Sequence, residues 1–562
     1  MNITSVYNQE LLVKKLLDPN AYDHRTKNFE LIETHISWIV LTGYYAYKIK
    51  KQLKLSFLDT SNINNRRLLC QREYRINQKF NTDLYIGVNR IIGTMQNPRI
   101  EDKDISGDEL VKPGTLELAV KMNQFDTIKS LDKIIHSKFN ITKETIRLGK
   151  NLARIHKLAK LNSNKTRRFP YTQQAVLDNI NVLNDLNIIY AGKNRMIDHR
   201  IWVKREIDRL SNRFKEREQS KAIRACHGDI HLRNIYLNQN SKLCIFDALE
   251  FNDDLRYIDP LSEVSFLFVD LFINQKQILA TTLLNSWLEE IGDYSGMDLF
   301  RWYSAYRSTV LAKVHAIRSK QIQDRKHLTK SDKNCIKEYE SKVKMYLDYA
   351  VKMESESQST LILMHGLSGS GKTFISNFLL KSIPSIRIRS DLERKRIHKM
   401  IKLGLTGQYP KISIKEKNIF INKRLSLYDK NYTDWLFNKW IPLIAYRSLS
   451  SGLTTILDAC FLRRRERSYL IEIAKQLNSS IIILQCHCND SEAKRRILSR
   501  QQMGEDPSDA SYEIRLNQKS YIEELNKEEM KYSISVGEDC NLDDLKNKII
   551  DEMKKQRLIK RI

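Results

Sequence analysis

The chain has 562 residues, 41% of them hydrophobic, and 95 Lys and Arg against 67 Asp and Glu give it a formal net charge of +28. At roughly 100–200 residues per domain, this length predicts two to four domains with packed cores. No run of about 20 apolar residues occurs, and the opening MNITSVYNQELLVKKLLDPN lacks a basic-then-apolar secretory pattern, so a membrane span is not expected and a soluble, cytoplasmic protein is.

In chain order, HISWIVLTGYYAYKIKK, LYIGVNRIIGTM and LELAVKMNQF predict strands. The longer patterns TKETIRLGKNLARIHKLAK and HRIWVKREIDRLSNRFKERE predict helices. A small β-rich lobe ahead of a larger helical lobe is expected. Between residues 227 and 237 stands HGDIHLRNIYL, with His227, Gly228, Asp229, His231 and Asn234. An aspartate that can accept a hydroxyl proton, followed five residues later by an asparagine that can hold Mg²⁺, is the spacing of a kinase catalytic loop. A second metal aspartate should follow a short strand, and KLCIFDALEFN supplies Asp247.

CIKEYESKVKMYLDYAVKM, residues 335–353, predicts an amphipathic helix. The polar ESESQST, residues 354–360, is the best linker candidate, so the expected division is 1–353, a linker at 354–360, and 361–562. After it, LILM, IRIR, LTTIL and IIILQ alternate with helical stretches, predicting a parallel sheet covered by helices. The expected class is therefore an α+β bilobal N-terminal domain followed by an α/β domain with a parallel sheet.

MHGLSGSGKTFIS contains Gly366, Leu367, Ser368, Gly369, Ser370, Gly371, Lys372 and Thr373, which fit G-x-x-x-x-G-K-[ST]. Glycines let backbone N–H groups curl round phosphates, Lys372 would reach the β/γ-phosphates and Thr373 would ligate Mg²⁺. A helix N-terminus pointed at the anion adds to this. Asp391 and Arg394 form D-x-x-R after the second strand of this part: the aspartate could take a proton from an acceptor hydroxyl and the arginine could steady a phosphate. The other reading is a capping box, Ser390 with Glu393, in which Asp391 merely favours the helix dipole, and the two can coexist. Asp458 after LTTIL suits an outer-shell Mg²⁺ role or an ordinary turn. Arg496 and Arg500, beside the polar loop QQMGEDPSDAS, could close over the phosphates or form a solvated basic face.

GLSGSGKT, SDLERKR and LDACFLRRRER resemble the P-loop kinase group that includes polynucleotide kinases, zeta-type toxins and gluconate kinases. HGDIHLRN and FDALEFNDDLRYIDPLSEVSFLFVDL resemble the aminoglycoside-phosphotransferase-like branch of the kinase fold, and nearly the whole chain is similar to a bacterial family in which the two are fused. The resemblance implies ATP and Mg²⁺ as cofactors, Lys48 in YAYKIK as the lysine on the α/β-phosphates, and Glu73 in CQREYRIN as its partner. Two departures stand out: no glycine-rich phosphate-covering loop precedes Lys48, where only Gly43 is offered, and Glu263 stands where the family more often has aspartate. An ATP-dependent phosphotransferase acting on a small-molecule hydroxyl is expected. Two alternatives remain open: a nucleic-acid end kinase, and a P-loop kinase regulated by a ligand-binding, catalytically silent N-terminal domain. The charge permits a nucleic-acid partner, but lysines spread over both halves favour it less than a small acceptor.

The eight cysteines form no CxxC pair, so neither a zinc ribbon nor a disulfide framework is suggested. Cys486 and Cys488, in CHC, are read as the end of a buried strand rather than a metal pair.

Overall fold

The computed structural model describes residues 3–55, 58–101, 112–161, 170–186, 193–325, 327–355, 359–402, 427, 429–503 and 511–559. The chain forms two compact units. The first comprises 1–144, 158–160 and 224–258; the second comprises 145–157, 161–223 and 259–562. The expected linker falls inside the second unit, with 356–358 outside the described residues. There Glu354 is bound by His199 Nδ1 at 2.8 Å, and the carbonyl of Met353 accepts from Arg301 Nε at 2.6 Å.

In the first unit, β1 (Glu30–Glu33), β2 (Ser37–Leu41), β3 (Tyr45–Lys50), β4 (Tyr85–Gly93), β5 (Pro98–Ile100) and β6 (Glu117–Asn123) form an antiparallel sheet in the order β1-β2-β3-β6-β4-β5. Side chains alternate across a strand, so β3 sends Tyr47 and Ile49 into one core with Trp38, Val40 and Ile91. Ala46 lies in the core on the opposite face with Val120 and Cys70. Lys48 and Lys50 share the parity of Ala46 and so turn toward helix α1 (Ile63–Asn77), which carries Cys70 and Glu73. This alternation brings two lysines, not one, to the same carboxylate. The segment HGDIHLRN precedes a small hairpin, β7 (Ile235–Leu237) with β8 (Leu243–Ile245).

The second unit contains residues 145–157 of α2 (Thr142–Leu158), α3 (Pro170–Asp185), α4 (Lys193–Gln219), α5 (Pro260–Ile273), α6 (Gln277–Ile291), α7 (Phe300–Gln323) and α8 (Lys330–Lys352). A buried guanidinium at the end of α4 ties the start of α5 to the segment after α6: Arg217 Nη2 reaches Asp259 at 2.6 Å and Asp293 at 2.7 Å. Paired and hydrogen-bonded on all sides, such a charge can stay in the interior.

The same unit holds β9 (Thr360–His365), α9 (Lys372–Ser382), β10 (Ser385–Arg389), α10 (Ser390–Lys402), β11 (Thr454–Asp458), β12 (Ser480–Cys486), α11 (Asp490–Met503), α12 (Tyr512–Lys519) and β13 (Ser533–Val536). Five parallel strands run in the order β10-β11-β9-β12-β13. The central β9 is buried at every residue, as expected of a parallel strand covered on both faces. The expected strands LILM, IRIR, LTTIL and IIILQ are all present, and β13 is a fifth. Among the described residues no helix is long and apolar enough to cross a membrane.

Candidate functional site

In the second unit, the turn from β9 into α9 is built by glycines that no other residue replaces easily. Gly366 has φ +139°, and a Cβ there would stand 2.2 Å from the Cys486 carbonyl oxygen. Gly369 and Gly371 also have positive φ, so the loop curls ahead of the helix N-terminus. Two side chains of α12 hold the loop: Gln518 accepts from the Ser368 N–H at 2.8 Å, and Arg515 donates to the Ser368 carbonyl at 2.6 Å. Sequence reasoning missed both; their only signal was i, i+3 spacing on a short helix after the polar loop. Lys372 Nζ folds back onto the carbonyls of Gly366 (2.9 Å) and Leu367 (2.7 Å). Leu367 and Ser370 complete the turn.

Asp458, the last residue of β11, stands beside the loop. The hydroxyl of Thr373 donates to its Oδ1 at 3.4 Å and that of Ser376 donates to its Oδ2 at 3.0 Å. A cavity of about 460 Å³ opens here, and Thr373, Asp391, Arg394, Asp458, Glu466 and Arg500 are among its lining residues. Asp391 makes no side-chain hydrogen bond among the described residues. The capping-box reading fails: Ser390 is already helical, and the Glu393 carboxylate is buried, accepting from Trp440 Nε1 at 3.0 Å and paired with Arg396. Arg394 Nη1 donates to the Leu427 carbonyl at 2.9 Å and to Thr433 Oγ1 at 2.8 Å, which fixes its guanidinium in the cavity wall. Arg496 Nε donates to Glu492 at 2.6 Å; part of the polar loop beside it, 504–510, lies outside the described residues. Burial raises the Glu466 carboxyl to about 6. Cys486 ends β12 in the core, and Cys488 donates to the Gly369 carbonyl.

In the first unit, Lys48 Nζ lies 2.8 Å from Glu73 and 2.5 Å from Asp247. Lys50 Nζ lies 2.5 Å from Glu73 and also pairs with Glu250. Burial alone would raise the Glu73 carboxyl, but the two lysines outweigh it and bring its pKa down to about 2. Burial raises the Glu250 carboxyl. Lys50 and Glu250 were not anticipated. The signals were the i, i+2 repeat in YAYKIK and the carboxylate three residues after Asp247.

The HGDIHLRN segment is fastened by His227, whose Nδ1 accepts from the Asp229 N–H at 3.3 Å and whose Nε2 therefore donates to the Phe246 carbonyl at 2.9 Å. Asn234 Nδ2 donates to the Asp229 carbonyl at 2.9 Å and to its carboxylate at 3.2 Å, and His231 lies 3.5 Å from that carboxylate. Asp247 has φ +64°, and its N–H donates to Tyr85 Oη at 3.0 Å. The structure thus brings Lys48, Glu73 and Asp247 into one cluster and joins Asp229 to Asn234. The β1–β2 turn, Thr34 to Ile36, is short and has no glycine; Gly43 lies in the β2–β3 turn instead. Glu263, in the second unit, is fully buried and accepts from His156 Nε2 at 2.8 Å, while His156 Nδ1 accepts from Trp287 Nε1 at 3.0 Å.

Residues 361–525 match a family model described as an AAA domain. With its glycine loop between a parallel strand and a helix, the C-terminal part is a P-loop domain. With its antiparallel sheet and Lys48–Glu73 pair, the N-terminal part is kinase-like in fold. Uncharacterised proteins of Mycobacterium tuberculosis H37Rv and Mycobacterium bovis are each 23% identical to this chain over 477 residues, 83% of this chain and 85% of theirs. Among solved structures, a choline/ethanolamine kinase family protein from Mesorhizobium loti aligns with 61% of this chain and 99% of its own, at 13% identity and a TM-score of 0.32. A gluconokinase from Sinorhizobium meliloti 1021 aligns with 36% of this chain and 94% of its own, at 14% identity and a TM-score of 0.22.

Proposed function

We propose that the chain is an ATP-dependent phosphotransferase whose P-loop site moves the γ-phosphate to a hydroxyl of a small-molecule acceptor. The observation that carries this reading is the cavity joining the loop to Asp391: an open carboxylate stands in the same cavity as Lys372 and Thr373. Its volume of about 460 Å³ falls within the roughly 300–1,000 Å³ of small-molecule sites, which favours a small acceptor over a polymer end. Asp391 would take the hydroxyl proton, Lys372 and the loop N–H groups would hold the phosphates, and Arg394 and Arg500 would offset charge on the transferred group. Thr373 and Asp458 present hard oxygen donors side by side, which suits Mg²⁺. When bound, Mg²⁺ would neutralise charge on the β- and γ-phosphates.

For the kinase-like part we propose the same chemistry, with Asp229 as proton acceptor, Lys48 on phosphate, and Asn234 and Asp247 as Mg²⁺ donors. A second reading, in which this part binds a ligand and regulates the P-loop site, is favoured by one observation. Lys48 is already occupied by Glu73 and Asp247.

Product analysis on the full-length chain with γ-labelled ATP and a panel of small hydroxyl acceptors tests both. Asp391→Asn should keep ATP binding and lose one labelled product. Asp229→Asn should lose a different product if the kinase-like part is catalytic, and none if it regulates. Transfer at near wild-type rate in Asp391→Asn removes that residue from the mechanism.

A further inference from the structure

Helix α6 lies about 80 residues before the phosphate loop, yet within the second unit it covers β10, the edge strand of the parallel sheet. Asn285 Nδ2 donates to the Ser385 carbonyl at 2.7 Å, and the Arg387 N–H donates to Asn285 Oδ1 at 2.8 Å. One side-chain amide thus satisfies edge groups that a neighbouring strand would otherwise take. Tyr294 Oη donates to the Arg387 carbonyl at 2.8 Å.

The Arg387 side chain, 6% exposed, reaches two ways. Its Nε and Nη2 donate to Glu289 Oε1 at 3.2 and 2.8 Å. Its Nη1 donates to Ser376 Oγ at 3.0 Å and to Asn377 Oδ1 at 2.6 Å. Ser376 Oγ in turn donates to Asp458 Oδ2 at 3.0 Å. Arg387 itself stops 3.9 Å from that oxygen, and Arg389, two residues on and on the same face of β10, stops at 3.8 Å. The guanidinium therefore has two carboxylates within range, and it is hydrogen-bonded to the one on α6.

We propose that Glu289 is a positioning residue for the P-loop metal site: it holds the Arg387 guanidinium back from Asp458 and so sets the Mg²⁺ requirement of that site from a helix outside the P-loop domain. This rests on the reading of Asp458 as a donor to nucleotide-bound Mg²⁺. A guanidinium in direct contact with Asp458 would compete with the cation for the same oxygens. Coulomb's law at an effective dielectric of ~20 makes closing a gap of ~1 Å between unit charges worth roughly tenfold in affinity. Ser376 completes the arrangement, accepting from Arg387 and donating to Asp458, so it keeps the carboxylate and the cation apart.

The test is a Mg²⁺ titration of ATP binding and of ATP turnover on the full-length chain. Glu289→Gln should raise the Mg²⁺ midpoint roughly tenfold, within the usual range of coupling between distinct sites, and leave metal-free ATP binding unchanged. Adding Arg387→Gln should bring the midpoint back toward wild type, because the competing cation is gone. Glu289→Asp, which keeps the charge on a shorter arm, should shift it in the same direction but less, and serves if Glu289→Gln does not fold. A folded Glu289→Gln chain with a lower Tm and an unchanged Mg²⁺ midpoint would reduce Glu289 to an interface contact and overturn the proposal. So would a double variant that keeps the full Glu289→Gln shift. Wild-type chain showing no Mg²⁺-dependent ATP binding would overturn the P-loop reading itself, before any Glu289 variant is compared.

Discussion

The chain holds two lysines suited to phosphate, and they wait in opposite states. Lys372 rests on two neutral carbonyls of its own loop, at 2.9 and 2.7 Å, in an open cavity. Lys48 is buried between two carboxylates, and the carboxylate it shares with Lys50 is buried too. A phosphate entering the first site replaces weak neutral contacts with charge-assisted ones. A phosphate entering the second must compete with Asp247 for Lys48 and meets a cluster with three carboxylates, Glu73, Asp247 and Glu250, to two lysines. On the proposed reading, the same residue type would thus give one site open to a phosphate and one that would need Mg²⁺ or a ligand to relieve the negative charge.

The sharpest way to break this comparison is Lys372→Ala. Turnover should fall by roughly 10²–10³-fold, the usual scale for losing one preorganised stabiliser of developing charge. Tm should change little, since the hydrogen bonds of Lys372 among the described residues stay within its own loop. Unchanged turnover in a folded variant would take the P-loop out of the chemistry.

The next largest effect concerns stability rather than rate. Glu73→Gln leaves two buried lysines short of a partner and should cost roughly 3 kcal/mol at pH 7, measured by denaturant unfolding. Its pH dependence has a definite sign. The folded Glu73 carboxyl, at about 2, lies below its ordinary value of 4.5, so its contribution is complete above 4.5 and is lost as pH falls toward 2. The gap between wild type and Glu73→Gln should therefore be widest at neutral pH and narrow across that window. A gap independent of pH would show that Glu73 acts through packing rather than charge.

What was legible in the sequence was local. Gly366 to Thr373 carry their geometry in eight adjacent residues, and Asp229 with Asn234 in six, so spacing alone placed them. The strands of the parallel sheet were legible because buried strands read as apolar runs; β13, SISV, was not, being short with a polar residue at every second position. Contacts between distant segments were not legible. Glu250 meets Lys50 across 200 residues, and nothing in YAYKIK says which lysine pairs where. Glu393 looked like a capping residue by its spacing from Ser390, but Trp440, 47 residues on, claims its carboxylate. Asn285 and Glu289 sit on a mostly apolar helix whose pattern says only that it is buried, not that it covers the edge of a sheet formed 100 residues later.

The most direct test of two sites in opposite states is ATP binding to the full-length chain by titration calorimetry in Mg²⁺, for wild type, Lys372→Ala and Lys48→Met. The account predicts that Lys372→Ala removes the tighter binding event, and that Lys48→Met leaves that event intact while removing any weaker one. A tight event that survives Lys372→Ala and disappears in Lys48→Met would contradict it, placing the ready nucleotide site in the kinase-like part.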